Sequence, residues 1–352
     1  MIRFVLRWLW RLLLVVVICI GALLAPVGYV EFACTGEDEG ERYAALLPPE
    51  HHRLEARTLL TYPEWHIVHA YDDYAEVIRE GDPHDFGYFR AIRDYWSSLC
   101  ALKTQAASHG GIDASTRQLV YVIGVSFSAE LALKAAYEET LGRAATWLRG
   151  AERTRLDQLS HQQAAAYARF LQQTPWYKWE FEADIVAMDL AQTLAFRDSE
   201  RRFALGLEYA AKAAYAGVIA QAVESVGADE LSLRMIVTGP DVDALERMGG
   251  IEVIQKRPQG VEIEVPRYRE LTRMLADRLA FLDLQIVEMA GNDDIMFTAL
   301  SKNASEPGAL FSFARQGYGD HRHLFLVKVS ELLARLGEMD SSALTVEHVH
   351  DY

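Results

Sequence analysis

The residues best suited to chemistry lie in one segment, Tyr62 to Tyr74, which holds two histidines and two adjacent aspartates. On a helix with about 100° per residue, His66, His69 and Asp73 fall within about 60° of one another. Two imidazoles and one carboxylate are ligands that zinc or iron accepts, and they leave positions open for water or substrate. The sequence therefore indicates a candidate divalent-metal site at His66, His69 and Asp73.

The same residues also fit a simpler interpretation, the polar face of an amphipathic helix. Ile67, Tyr71 and Tyr74 lie on the other side of the helix, as in an ordinary surface helix. The spacing is not a known metal motif, and the sequence contains no His-Glu-x-x-His. We favour the polar face and keep a metal-dependent enzyme as an alternative hypothesis.

Two histidine pairs with a spacing of two residues occur later in the chain, His321 with His323 and His348 with His350. In a strand, each pair shares one face of the sheet. Such pairs can bind metal, although adjacent loops and fraying of the last residues explain them equally well.

Two other clusters favour structural roles. His84 and Asp85 follow a turn, and cap chemistry is preferred there over a site. A dense aromatic cluster can pack in the core or lie at lipid headgroups. We favour core packing for its members, which are Trp176, Tyr177, Trp179 and Phe181.

The N-terminal segment has the composition of a membrane-spanning helix. Residues 12–30 form a charge-free run of 19 residues, close to the ~20 that a span requires. Arg3, Arg7 and Arg11 precede the run and acidic residues follow it, which predicts a cytoplasmic N-terminus. The rest of the chain is then extracytoplasmic, in a bacterium periplasmic, with a single-pass anchor in the inner membrane. A cleaved signal peptide is the weaker alternative, because the segment lacks a good cleavage site.

The net charge excludes one class of partner. The formal charge is −15 although the span region contributes three arginines and no acid. A body this acidic repels nucleic acid, so we expect no nucleic-acid partner.

The three cysteines allow one disulfide. Cys19 lies within the span, while Cys34 follows it and Cys100 lies on a predicted helix. An oxidising compartment permits a Cys34–Cys100 bond. The sequence alone, however, cannot show that the two Cα atoms lie within the distance that a disulfide requires. Unpaired cysteines are the preferred expectation.

The chain after the span divides into a helical part and a mixed part. Helical patterns recur until about residue 226, after which short β-branched runs alternate with helices. Asp113 is predicted to cap a long helix over about residues 114–149 that Gly150 closes, and Ser199 is predicted to cap a later helix. The mixed part is expected to contain a hairpin of residues 284–289 and 295–300, and an irregular loop over residues 301–319. The predicted fold class is α+β, with these domains: a transmembrane anchor (1–33), an acidic connector (34–49), an all-α bundle (50–227) and an α+β domain for which a ferredoxin-like arrangement is one option (228–352).

Three functions compete for this organisation. The preferred hypothesis is a membrane-anchored periplasmic protein with a non-catalytic binding or accessory role, since no active-site pattern is complete. The first alternative is the metal-dependent enzyme described above. The second is handling of lipid or another apolar ligand in a bundle cavity lined by aromatic residues.

Overall fold

A computed structural model describes residues 2–36, 43–53, 59–109, 111–224, 231–339 and 343–351 of the chain. Over these residues the protein mixes helices with two antiparallel sheets and begins with an apolar helix. The predicted mixture of helix and sheet is therefore confirmed. The predicted domain boundary at residue 227 lies outside the described residues, and the division into domains stays a prediction.

The first helix, α1 (Ile2–Ala33), contains the whole predicted span. Its segment Arg7–Ala33 is long and apolar enough to cross a membrane. Most of its large apolar side chains are exposed, from Trp8 to Leu24. Val30 and Cys34, at and just beyond its last turn, are instead buried among residues of the helical region.

The helical region follows the apolar periodicity of the sequence. In α3, buried residues recur every three or four positions, which places them on one face of the helix. A π-helical turn, Glu138–Gly142, joins α4 to α5, so residues 114–149 form one long helical stretch as predicted. The helices of this region are α2 (Tyr62–Glu80), α3 (Tyr88–Ala107), α4 (Ala114–Tyr137), α5 (Arg143–Arg149), α6 (Arg155–Leu171), α7 (Phe181–Ala191) and α8 (Phe196–Glu224).

Helix starts were predicted with mixed success. Asp113 caps α4 as predicted, because its side chain accepts hydrogen bonds from the N–H groups of Ser115 and Thr116. The predicted cap at Ser199 is wrong, since α8 already begins at Phe196. Ser199 lies within the first turn of that helix.

Two four-stranded sheets share one connectivity. In both sheets the first strand lies between the third and the fourth, the second strand lies at an edge, and every paired neighbour is antiparallel. The first sheet has the order β2-β3-β1-β4 and the second β6-β7-β5-β8. Their elements are β1 (Ser232–Thr238), α9 (Val242–Leu245), β2 (Glu252–Arg257), β3 (Gly260–Pro266), α10 (Tyr268–Asp277), β4 (Gln285–Met289), β5 (Asp294–Ser301), β6 (Phe311–Ala314), β7 (His321–Lys328), α11 (Val329–Met339) and β8 (Thr345–His350).

The predicted hairpin is wrong although both of its strands exist. β4 pairs with β1, and both edges of β5 are taken by β7 and β8. The chain turns between the sheets at Ala290 and Gly291, whose φ angles are 50° and 81°. The predicted irregular loop is also corrected, since the short strand β6 lies within residues 301–319.

The second sheet is buried on both faces. Along β5, Ile295 and Phe297 pack into a core shared with the first sheet, whereas Met296 packs into the core of the helical region. This alternation follows from the two-residue period of a strand. The sheet thereby brings β8 and β7 against α2.

A disulfide joins Cys34, just after α1, to Cys100 on α3, with their Cα atoms 5.3 Å apart. The expectation of unpaired cysteines is therefore wrong for these two. They are 66 residues apart in sequence, and the packing of the end of α1 on α3 that brings them together is not visible in local patterns. Cys19 is free and exposed.

Candidate functional site

Helix α2 carries the predicted site residues, and it lies between the other helices of its region and the second sheet. Pro63 occupies the first turn, where a missing N–H is tolerated. His66, His69 and Asp73 are 7%, 6% and 6% exposed. The stripe that suggested a polar surface face is therefore buried against other elements.

His66 is directed toward α3. Its Nε2 lies 2.9 Å from the carbonyl oxygen of Ala91, and a carbonyl accepts only, so Nε2 carries the proton and donates. The rings of Tyr95 and Phe127 surround it edge-on. Burial lowers the pKa of His66 to about 4, so the ring is neutral at pH 7.

Asp73 is directed toward the chain that precedes β7. Its Oδ2 accepts a hydrogen bond of 2.9 Å from the N–H of Gln316. Its Oδ1 lies 3.8 Å from the Arg322 guanidinium and 3.9 Å from that of Arg315. Burial raises the pKa of Asp73 to about 7, and the two guanidinium groups oppose that rise.

His69 is directed toward β8, where its Nδ1 lies 3.7 Å from Oε1 of Glu347. Burial lowers its pKa well below the ordinary value. His66, His69 and Asp73 thus have partners on three different segments. The structure does not bring these three side chains to a common point.

A bulge in β8 supplies the partner of His69. Thr298 of β5 pairs with His348, and the next pair is Ala299 with Val346, so Glu347 is the extra residue. Glu347 accepts two hydrogen bonds, of 2.5 and 2.7 Å, from the buried guanidinium of Arg322. This ion pair crosses the second sheet directly beneath α2.

His348 and His350 complete a buried group of rings with residues of α2. The ring centroids of His348 and Trp65 are 3.6 Å apart, and those of His350 and Tyr62 are 5.2 Å apart. The Nδ1 of His348 lies 3.1 Å from the Thr272 hydroxyl. We call Tyr62, His69, His348 and His350 the histidine cluster.

The histidine cluster holds several polar atoms without partners. Within the described parts of the chain, no hydrogen bond reaches Nε2 of His69, Nε2 of His348, either ring nitrogen of His350 or the Tyr62 hydroxyl. Each buried atom of this kind costs about 1–3 kcal/mol unless a ligand or water satisfies it. Burial lowers the pKa of His348 to about 3 and that of His350 well below its ordinary value. Neutral imidazoles with free nitrogens are the form that binds transition metals.

In the sequence alone, loops and a frayed end explain the spacing of His348 and His350 as well as metal binding does. β8 is instead paired to a central strand, and both histidines are buried. Glu347 and Arg322 were missed. Their pairing depends on the bulge and on strand register, neither of which leaves a local sequence signal.

Two expected structural clusters are confirmed. Among the described residues, only Asp82, His84 and Asp85 bring three potential ligand atoms within 4.8 Å of one another. Asp82 and Asp85 form a capping box, and Asp82 is also paired with Arg149, so cap chemistry accounts for this group. The aromatic cluster packs around Tyr167 as a core, with these members: Trp176, Tyr177, Trp179 and Phe181.

The bundle cavity is small, and aromatic side chains line it together with a few charged ones. It measures about 30 Å³, space for a water molecule rather than an acyl chain. Its lining includes Lys212 and Glu208, whose charged groups lie 2.9 Å apart. The cavity does not favour storage of an apolar ligand.

Comparison with protein-family models, curated proteins and solved structures finds no match to this chain.

Proposed function

We propose that this chain is a single-pass membrane protein with residues 12–30 in the inner membrane and its body in the periplasm, where it has a non-catalytic binding or accessory role. The observation that carries the proposal is the Cys34–Cys100 disulfide. Structural disulfides persist in oxidising compartments and are rare in the cytosol. This one is placed four residues beyond the predicted span, so it favours an extracytoplasmic side for the residues that follow.

Contacts at the end of α1 support a rigid link between span and body. The Glu31 carboxylate accepts hydrogen bonds from Lys103, Arg117 and Tyr121. Lys103 also donates to the carbonyl oxygen of Val30. An anchor held in this way fixes the orientation of the body relative to the bilayer.

The burial of the histidine cluster argues against catalysis at this place. Each member of the histidine cluster is less than a tenth exposed. A substrate cannot reach such groups without a rearrangement, whereas an active site presents its groups in an accessible pocket.

We also propose that the first sheet and its helices form a ferredoxin-like unit. The element order β1-α9-β2-β3-α10-β4 agrees with the split β-α-β pattern. The second sheet has the same strand order, with residues 302–310 in place of the first helix. A fold of this kind hosts many functions and assigns none.

The topology is tested with reporter fusions after Tyr352 and with thiol labelling of the denatured, unreduced chain. We expect the C-terminal reporter to be active only outside the cytoplasm, and Cys19 alone to react. A reporter active in the cytoplasm, or three reactive thiols, would contradict the proposal.

Metal binding is the second candidate, favoured by the unpartnered ring nitrogens of the histidine cluster. His69 belongs to both the predicted triad and this cluster. Elemental analysis of the purified protein should compare the wild type with a His66→Ala, His69→Ala double variant and a His348→Ala, His350→Ala double variant. Metal lost in both variants supports the cluster, and loss in the first variant alone supports His66, His69 and Asp73. A metal-free wild type removes this candidate.

A further inference from the structure

Helix α4 presents an apolar face that the protein does not cover. The stretch Ala114–Arg149 is long and apolar enough to cross a membrane, yet only a third of its most apolar window is buried. Leu133 is 73% exposed and Trp147 is 80% exposed. Between residues 118 and 136 the exposed positions carry no charge: Gln118, Leu119, Val122, Ser126, Leu133 and Ala136.

Helix α8 continues this face. Ion pairs join α8 to the α4–α5 stretch, with Lys134 to Glu208 at 3.0 Å, Lys212 to Glu130 at 2.9 Å and Arg201 to Glu138 at 2.8 Å. As the residue numbers rise along the α4–α5 stretch, those of their partners on α8 fall. The two helices therefore lie side by side and antiparallel. The charged side chains of these three pairs are thus occupied with one another between the helices.

The outer side of α8 is left apolar as a result. Its exposed positions from residue 203 to residue 218 carry no charge: Phe203, Leu207, Ala210, Ala211, Ala214, Tyr215, Gly217 and Val218. Phe203 and Leu207 are 67% and 65% exposed. We call the exposed positions of residues 118–136 on α4 and 203–218 on α8 the apolar face, and the exposed ion pair of Arg143 with Glu139 lies beyond its edge. In a chain with a formal charge of −15, so long an uncharged surface indicates a partner without charge.

The position of α1 identifies that partner. Leu24 and Val27 of α1 line a groove together with Val122 and Val125 of α4. Leu24 and Val27 belong to the predicted span, so Val122 and Val125 lie at the depth of its last turns. Glu31 and Arg117, paired at 3.0 Å, lie above these residues at the level expected for headgroups. The apolar face is therefore continuous with the lipid-facing surface of α1.

We propose that the apolar face is seated in the outer leaflet of the bilayer that α1 crosses, in contact with acyl chains. This inference rests on the proposed function, because it requires α1 to span a membrane. It adds a second attachment, which holds the helical region against the lipid. Trp147 and Tyr215 supply aromatic rings of the kind that favour the interface.

The test uses the full chain in phosphatidylcholine vesicles, with an environment-sensitive fluorophore on single cysteines. Native Cys19 reports the span, and Leu133→Cys and Leu207→Cys in a Cys19→Ser background report the apolar face. Phe281→Cys is the matched control, since Phe281 is 62% exposed on a turn between α10 and β4. The disulfide keeps Cys34 and Cys100 unreactive.

We expect quenchers on the acyl chains to act several-fold more strongly than aqueous iodide at Cys19, Leu133→Cys and Leu207→Cys, with the reverse at Phe281→Cys. If the two labels on the apolar face behave as the control while Cys19 contacts lipid, the seating is wrong and the anchor stands. An aqueous Cys19 overturns the anchor and the seating together. A third outcome is that the labels on the apolar face are shielded from both quenchers and show energy transfer that depends on dilution. This result would show that a second copy of the chain covers the face, and it would overturn the proposal.

Discussion

At the residue scale, burial determines the chemistry of the histidine cluster. His348 and His69 are held neutral because desolvation penalises the imidazolium form. Arg322 and Glu347 remain charged in the same region because each is the other's partner. The result is a group of neutral imidazoles beside one compensated ion pair.

The first prediction concerns pH. The unfolded chain binds protons at histidines below about pH 6.5, whereas the folded chain excludes them until the pH nears the lowered pKa, about 4 for His66 and about 3 for His348. The histidine contribution to the free energy of unfolding is therefore complete above about pH 6.5 and falls as the pH drops. Each pKa unit corresponds to about 1.4 kcal/mol.

Asp73 acts in the opposite direction, since its pKa is raised to about 7. The contribution of Asp73 to the free energy of unfolding is complete below about pH 3.8 and is lost as the pH rises toward 7. The free energy of unfolding can be measured with urea in detergent over a range of pH. Compared with the wild type, it should fall less steeply toward acid pH in His348→Gln and more steeply in Asp73→Asn. Parallel pH profiles for the wild type and both variants would contradict these shifts.

The second prediction concerns the buried ion pair of Arg322 with Glu347. Arg322→Ala leaves a carboxylate buried without its partner, which should lower the free energy of unfolding by about 3–5 kcal/mol. The double variant Arg322→Met, Glu347→Gln should recover part of that loss. Arg79→Ala is the control, because the exposed pair of Arg79 with Glu76 contributes about 0–1 kcal/mol. Equal losses for Arg322→Ala and Arg79→Ala would refute the argument.

At the element scale, the sequence predicts most helices because their signals are local. Asp113, the apolar period of α3 and the glycine after Arg149 each act within a few residues. The strands β4 and β5 were also predicted, but not their partners. Strand pairing depends on which strand edges are free in the folded sheets, and the local sequence carries no signal for this.

The candidate site shows the same limit. The sequence places His66, His69 and Asp73 on one side of α2, and the structure keeps them there. What they face is decided by α3, β8 and the chain before β7, all distant in sequence. The sequence therefore shows that His348 is present but does not show that it packs against α2.

The third prediction concerns the contact of α4 with α3. A Cβ added at Gly124 would collide with the ring carbons of Tyr95 and Trp96. Gly124→Ala should therefore lower the free energy of unfolding by about 1–3 kcal/mol despite the better helix propensity of alanine. Gly217→Ala on α8 is the control, since a Cβ there meets no atom within 4 Å. It should be neutral or stabilising by up to about 1 kcal/mol, and a loss at Gly217 as large as that at Gly124 would disprove this packing argument.

At the scale of the whole molecule, one covalent bond ties the apolar helix to the folded body. Packing alone brings little of α1 into the core, chiefly Val30 and the residues beside it. The second sheet closes the other side of the helical region through Met296 and Leu324. The body is thus a continuous packed unit whose attachment to α1 depends on a short contact and on Cys34 with Cys100.

The fourth prediction tests that attachment. A disulfide that closes a loop of 66 residues should stabilise the fold by about 4 kcal/mol in the chain-entropy account. Cys34→Ser should therefore lower the melting temperature of the full chain in detergent and should make Cys100 reactive to thiol reagents. Cys19→Ser is the matched control and should leave the melting temperature unchanged, because Cys19 is free and exposed. Equal melting temperatures for the two variants would show that packing of Val30 and the Glu31 contacts alone hold α1 to the body.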